Sequence, residues 1–370
     1  EKVKLSIKLL AKMQDVELNK GTSEYTFKDL NAGTKYSFEL RTVSGDQESE
    51  AVARDITTNP EAPFGLMQAD QSETSVSVTW TTVKDQNKIS GYEIRLLKSD
   101  VIISTATNTG IDMTATSHSV TGLEAGSQYE VDLRSILVTG GQRLESSQRT
   151  ALISTAPSPP TTLSIASKSH TDLSFSWLPP DHGVDDYQVA IKRNMEVQTF
   201  DTDKTSLQIT SGLRAGATYQ LEVFSHKFGK LSRPLSLQVH LVPSAPRAAT
   251  IQIVTTTSIS VRWTAPQDSE VENYLVEWKV GGSDASESNE VSTTEHTIRG
   301  LMEGQQIEVK VFSLNAAGDR SGSSSDVTGQ TLKGEFTITP GPEATTSGAI
   351  TWSEPKNSQV ANYLITITPT

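Results

Sequence analysis

The sequence predicts an all-β chain of tandem seven-stranded, two-sheet β-sandwiches in an elongated rod, and three recurring spacings carry that prediction. Trp80, Trp177, Trp263 and Trp352 stand 97, 86 and 89 residues apart. A tyrosine follows each by 10 to 12 residues, at Tyr92, Tyr187, Tyr274 and Tyr363. A Leu-x-x-Gly-x-x-aromatic or apolar motif recurs as "LNAGTKY", "LEAGSQY", "LRAGATY" and "LMEGQQI", led by Leu30, Leu123, Leu213 and Leu301. Repeats of this period mark one structural unit each.

Each element of the unit follows from its pattern. The runs "SVSVTW", "DLSFSW", "SISVRW" and "SGAITW" alternate, so Val76, Val78 and Trp80 face one side together. The tyrosines open further alternating runs, "YEIRL", "YQVAI", "YLVEW" and "YLITI". After the Leu-x-x-Gly motif come "YEVDLRSI", "YQLEVFS" and "IEVKVFS". No useful length of 3.6-residue periodicity intervenes, so the strands stack as two sheets with the indoles between them. In the motif, the leucine is expected to anchor the loop and the glycine to take a positive φ at little cost. Tyr36, Tyr129 and Tyr219 are expected to bury their rings and return the hydroxyl to a nearby backbone group. Ile307 has no hydroxyl, so the fourth corner is expected to keep the packing and lose that hydrogen bond. Trp278 shares a face with Tyr274 and Val276 and reads as an extension of the core.

Composition bounds the rest. The chain has 370 residues, more than one core usually supports, and 35 % are apolar. Its 32 basic and 44 acidic side chains give a net charge of -12, which disfavours nucleic acid and anionic lipid as general partners. No run approaches the roughly 20 apolar residues that span a bilayer, so no direct membrane insertion is expected within the segment. There is no cysteine and no Asn-x-Ser/Thr acceptor. The beginning, "EKVKLSIKLL", reads as the cut edge of something longer.

Pro-rich lead-ins, "NPEAPFGL", "APSPPTTL" and "VPSAPRAAT", precede the tryptophan strands and place boundaries near 60, 156, 243 and 331. Units 61–156, 157–243 and 244–331 are each expected to be a whole sandwich. Residues 1–60 carry a corner without a tryptophan strand and read as the C-terminal half of a domain. Residues 332–370 carry Trp352 and Tyr363 without a corner and read as the N-terminal half of another. Linkers of a few residues imply neighbours that touch.

The Trp, Tyr and Leu-x-x-Gly-x-x-Tyr positions, with the Pro-rich lead-ins and the Asn315, Gly318 and Ser321 spacing in "VFSLNAAGDRSGSSS", make the chain resemble the fibronectin type III family, whose fold is immunoglobulin-like. That resemblance covers essentially the whole chain. It implies a non-enzymatic extracellular spacer, adhesion or recognition segment of a larger cell-surface receptor or matrix protein, of the receptor-phosphatase, tenascin or fibronectin kind, whose partners are other proteins. Alternatives are an intracellular titin-like scaffold, a linker array of a bacterial carbohydrate-active enzyme, and a filament in which chains self-associate head to tail.

Chemistry-bearing constellations are not visible. The six histidines are scattered, zinc, nucleophile-elbow and phosphate-loop motifs are missing, and thiol chemistry is excluded. No catalytic residue, cofactor or metal is expected. Asp181, Asp185 and Asp186 in "PPDHGVDDY" could begin a calcium site, against the reading of a solvated loop. Loops ahead of the last strand are natural contact points on a fixed scaffold. Phe228, Lys227, Lys230 and Arg233 in one, and Asp319 and Arg320 in another, are the candidate partner contacts. His226 and the three basic residues beside Phe228 are also weighed as a glycosaminoglycan contact. In fibronectin one such loop carries Arg-Gly-Asp; Gly318-Asp319-Arg320 holds the same residue types in another order. Charge is uneven: 157–243 has 8 basic and 8 acidic residues, 244–331 has 6 and 12.

Overall fold

A computed structural model describes residues 2–9, 12–335, 337–344, 346–353 and 363–368. Among these, the regular elements are strands and one 3-10 turn, Gln86–Lys88. The chain clusters into two compact units: Glu1–Pro159 with Pro180–Asp185 and Ser225–Arg233, and Pro160–Pro179 with Asp186–Phe224 and Pro234–Thr370.

The first unit begins with a five-stranded sheet. Its order is Lys12–Asn19, Lys2–Leu9, Lys35–Ser44 and Gln47–Glu48, with Val52–Thr57 also on Lys35–Ser44. No three-stranded sheet accompanies it among the described residues of 1–60, and Leu40, Val52 and Ile56 are exposed. A complete sandwich follows. Ser117–Thr121, Ser75–Thr81 and Phe64–Gln71 form the smaller sheet. Gln142–Glu145, Gln128–Thr139, Gly91–Lys98 and Val101–Ile111 form the larger, with Arg149–Ser154 on the other side of Gln128–Thr139. Val76, Val78 and Trp80 meet Tyr92, Ile94, Leu96, Val131 and Leu133 in one buried cluster, which is what period-two alternation on two facing sheets produces.

The second unit repeats the plan. Thr161–Lys168, Leu173–Leu178 and Ser206–Ile209 make a three-stranded sheet. Glu196–Thr202, Asp186–Arg193 and Thr218–Lys227 lie in order in a larger one, with Leu235–His240 on Thr218–Lys227. A further sandwich sets Arg247–Val254, Ser258–Thr264 and Glu295–Arg299 opposite Ser286–Val291, Asn273–Val280, Gln306–Leu314 and Ser325–Gln330. Trp278 packs on the edge of this core and tilts over His296, ring centroids 5.9 Å apart. The last regular element is a hairpin of Thr337–Ala344 and Ser347–Ser353. Of segment 332–370, residues 336, 345, 354–362, 369 and 370 lie outside the described residues.

The indole-phenol pair is the same object four times. Ring centroids of Trp80 and Tyr92, Trp177 and Tyr187, and Trp263 and Tyr274 are each 5.4 Å apart, and those of Trp352 and Tyr363 are 5.5 Å apart, all edge-on. Edge-to-face contact sets the positive rim of one ring on the negative face of the other. Burial pushes the Tyr92, Tyr187 and Tyr274 hydroxyls above the ordinary tyrosine value. The first three indoles are buried, whereas Trp352, expected in a core, is 39 % exposed. Its hairpin has no second sheet over it among the described residues.

Candidate functional site

The corners come first, because they place the loops. Tyr36, Tyr129 and Tyr219 hydroxyls accept from the N–H groups of Asn31, Glu124 and Arg214 at 2.9, 2.9 and 2.8 Å. Leu123 and Leu301 are buried, and Leu30 and Leu213 half-buried. The fourth corner departs from expectation. Ile307 is buried and has no hydroxyl, but the Met302 N–H donates to Gln305 Oε1 at 2.7 Å. The hydrogen bond is therefore not lost: an amide two residues before Ile307 supplies it. We expect Tyr219→Phe and Gln305→Ala each to cost their own sandwich about 1 kcal/mol, the net worth of one such bond. Equilibrium urea unfolding checks this, and no measurable change in Gln305→Ala would reject the substitution of amide for hydroxyl.

Each corner glycine also pins the chain that leaves the sandwich. The N–H groups of Gly33, Gly126, Gly216 and Gly304 donate to the carbonyls of Asn59, Ala156, Val242 and Leu332, at 2.9 to 3.1 Å. The outgoing linker thus starts beside the corner. The N–H groups of Thr34, Ser127 and Gln305 donate to the hydroxyls of Thr58, Thr155 and Thr331, which bond in turn to corner carbonyls.

At the other end, the loops ahead of the last strand are closed by a serine clip. The N–H groups of Thr42, Ser135, Ser225 and Ser313 donate to the hydroxyls of Ser49, Ser146, Ser232 and Ser321, at 2.9 to 3.2 Å. The N–H of each of these four serines returns a bond to the opposing carbonyl. Of these serines the sequence pattern singled out Ser321 alone; the recurrence of all four 13 to 17 residues after Tyr36, Tyr129, Tyr219 and Ile307 was the available signal for the rest.

Of the candidate contact residues on these loops, Arg233, Asp319 and Arg320 each hold an ion pair within the chain. Arg233 sets Nε 2.9 Å and Nη2 2.8 Å from Glu73 Oε1, reaching the preceding sandwich. The Phe228 N–H donates to Asp185 Oδ2 at 3.0 Å, and Lys227 Nζ lies 5.4 Å from the Phe228 ring centre. Lys230 pairs with Lys227 across the hairpin. Of this group Phe228, 42 % exposed, presents an apolar surface. The basic cluster weighed for a glycosaminoglycan is thus partly neutralised by Glu73.

Asp319 lies 2.6 Å from Lys168 Nζ and accepts from Asn315 Nδ2 at 3.0 Å. Arg320 pairs with Glu277 at 3.1 Å and stacks over Phe312 at 4.7 Å. Burial opposes ionisation of Asp319, but the bonds from Lys168 and Asn315 outweigh it and hold the carboxyl below its ordinary value. A depressed folded-state value means the stabilisation is complete above the unfolded carboxylate value, about 3.9, and is lost as pH falls through the lower folded one. We therefore expect the Asp319 carboxyl carbon to titrate by NMR with a midpoint below about 3.9; a midpoint at or above it contradicts this geometry.

Among the described residues no group of three or more His, Asp or Glu side chains is placed to hold an ion. Asp185 instead closes its loop, its N–H donating to the His226 carbonyl at 2.9 Å. Burial pushes the His118 and His296 imidazoles below their ordinary value, favouring the neutral form.

A family model for the fibronectin type III domain matches residues 61–151, 158–238 and 244–330. The chain belongs to the fibronectin type III family. Its tandem domains are similar to segments of tenascins. Mouse tenascin-N is 24 % identical over 363 residues, covering 96 % of this chain and 22 % of the relative. Human tenascin-R is 26 % identical over 302 residues, covering 79 % of this chain and 21 % of the relative. The chain thus spans about a fifth of the length of these relatives. A solved two-domain fibronectin type III segment of chicken tenascin shares 22 % identity with a TM-score of 0.36, covering 47 % of this chain and 99 % of that one.

Proposed function

We propose that this segment is a non-catalytic, extracellular array of fibronectin type III domains, in the matrix or at the cell surface, that spaces recognition surfaces and makes protein-protein contacts. The observation that carries the reading is the alignment of 96 % of the chain with a tenascin, across all three matched domains rather than at one of them. The pairing of Asp319 with Lys168, across the joint of two sandwiches in one compact unit, supports a spacer role. Loops that hold successive domains keep their separation. Exposed loop residues such as Phe228 remain for partners.

Compartment is the first thing to test. Intact cells expressing the tagged full-length protein are treated with a membrane-impermeant amine-biotinylating reagent. Labelling before permeabilisation, or of protein deposited on the dish after cell removal, is expected. Labelling only after permeabilisation rejects the reading and leaves the titin-like intracellular scaffold in its place.

A further inference from the structure

We propose that the corner glycine has a second role, as the seat on which a loop of the following domain rests, and that Gly216 thereby fixes the joint between domains 157–243 and 244–331. The inference does not depend on the compartment. A Cβ built on Gly216 would overlap the Glu270 carbonyl oxygen and fall 2.9 Å from its carbon. The same construction on Gly33 meets the Lys88 carbonyl oxygen at 2.7 Å. On Gly126 it meets Lys227 Cδ at 3.2 Å and Pro157 Cα at 3.5 Å. In all three cases the atoms belong to the segment that follows the corner. On Gly304 it meets only the flexible Lys333 side chain, at 3.4 Å.

Backbone conformation alone does not account for this. The four glycines have φ of +57, +56, +69 and +69°, a region asparagine also enters at modest cost. Close approach is the stricter demand, because two backbones cannot move apart as a side chain can. At Gly216 they are bonded to each other. The Glu270 N–H donates to the Ala215 carbonyl at 2.8 Å, and Ala215 and Ser269 form a parallel bridge. The Ser244 N–H from the linker donates to Ser269 Oγ at 3.0 Å. Arg193 and Arg214 both reach the Glu270 carboxylate, and Asn315 Nδ2 donates to the Leu241 carbonyl at 2.8 Å. The chain of cause is short: the glycine N–H pins the departing linker, the next domain begins beside it, and the absent side chain leaves room for that domain's loop.

The absence of native cysteine makes spin labelling direct. Labels at Met195→Cys and Ser288→Cys, both exposed, report the joint by pulsed electron resonance. Gly216→Asn is expected to shift and broaden the distance distribution, with far-ultraviolet dichroism unchanged. Gly304→Asn carries the same backbone demand without the backbone neighbour and is expected to leave this distribution as in the parent. An unaltered distribution in Gly216→Asn, or equal broadening in Gly304→Asn, overturns the proposal. Hydrogen exchange in the parent protein tests it even should Gly216→Asn fail to fold. The Glu270 amide is expected to be protected, and exchange at the rate of a free loop amide overturns the proposal too.

Discussion

Trp177→Ala is expected to lower the stability of the domain matched at 158–238 by about 3–5 kcal/mol, the range for removing a buried large aromatic. The indole is buried between the sheets, edge-on to Tyr187 at 5.4 Å and tilted on Phe175 at 5.9 Å. Alanine loses the transfer of the indole out of water and leaves a void beside Tyr187 and Phe175, which close-packed neighbours fill only by abandoning their own packing. Loss of the edge-on pair adds about 0.5–1.5 kcal/mol to what area alone gives. Domains of this size hold about 5–15 kcal/mol in total, so the variant sits near the threshold of folding. Among the described residues the indole Nε1 finds no hydrogen-bond partner, so Trp177→Phe, which removes that buried N–H, should cost much less than the volume change suggests. Trp352→Ala supplies the contrast: the residue is 39 % exposed and lies outside the domain matched at 158–238, so the transition of that domain should not move. Denaturant unfolding followed by the near-ultraviolet signal measures all three. A loss below about 1 kcal/mol for Trp177→Ala would mean the indole is not the keystone of its sheet pair.

The indole spacing was readable because every copy of the domain needs the same large group at the same strand position, and strand alternation says which way it faces. The glycine of the corner was readable for its backbone freedom. Its second demand was not, since Glu270 comes 54 residues after Gly216 and no local pattern reports which carbonyl will arrive there. The fourth corner shows the same limit from the other side. Ile307 announces the missing hydroxyl, but an amide at 305 reaches the same kind of N–H by a different path, and reach is a property of geometry. Arg233 and Asp319 read as outward contacts because loop tips ordinarily are, and nothing local in sequence reported the ion pairs they also make. Their partners, Glu73 and Lys168, lie 160 and 151 residues away in sequence. Contacts across a joint leave no trace in a repeat whose period is the domain itself.

Glu93→Ala is the second substitution expected to have a large effect, and alternation alone argues against it. Tyr92, Ile94 and Leu96 face the core, which puts Glu93 on the outer face of its sheet, where a carboxylate would ordinarily be solvated. It is instead 2 % exposed. Arg143 hydrogen-bonds its Oε2, and Arg95 lies 2.6 Å from Oε1 as an ion pair. Glu145 ties the same cations together, 3.0 Å from Arg134, 3.1 Å from Arg143 and 3.6 Å from Arg95. Three guanidiniums and two carboxylates therefore form a patch whose lid is the arginine stems over Glu93. Removing Glu93 leaves three cations facing one carboxylate. Breaking a buried pair costs about 3–5 kcal/mol where the survivor stays buried. These arginines are partly exposed and can turn toward water, which brings the expected loss for the 61–156 domain down to about 2 kcal/mol. Glu93→Gln keeps the shape without the charge and should fall between. The mechanism makes a further demand: in a double-mutant cycle with Arg143→Ala, the pair should show coupling, because each partner's cost is mainly the other left unpaired. Additive losses would mean Glu93 acts through packing alone, and the patch would then be a cover over the sheet rather than an electrostatic unit.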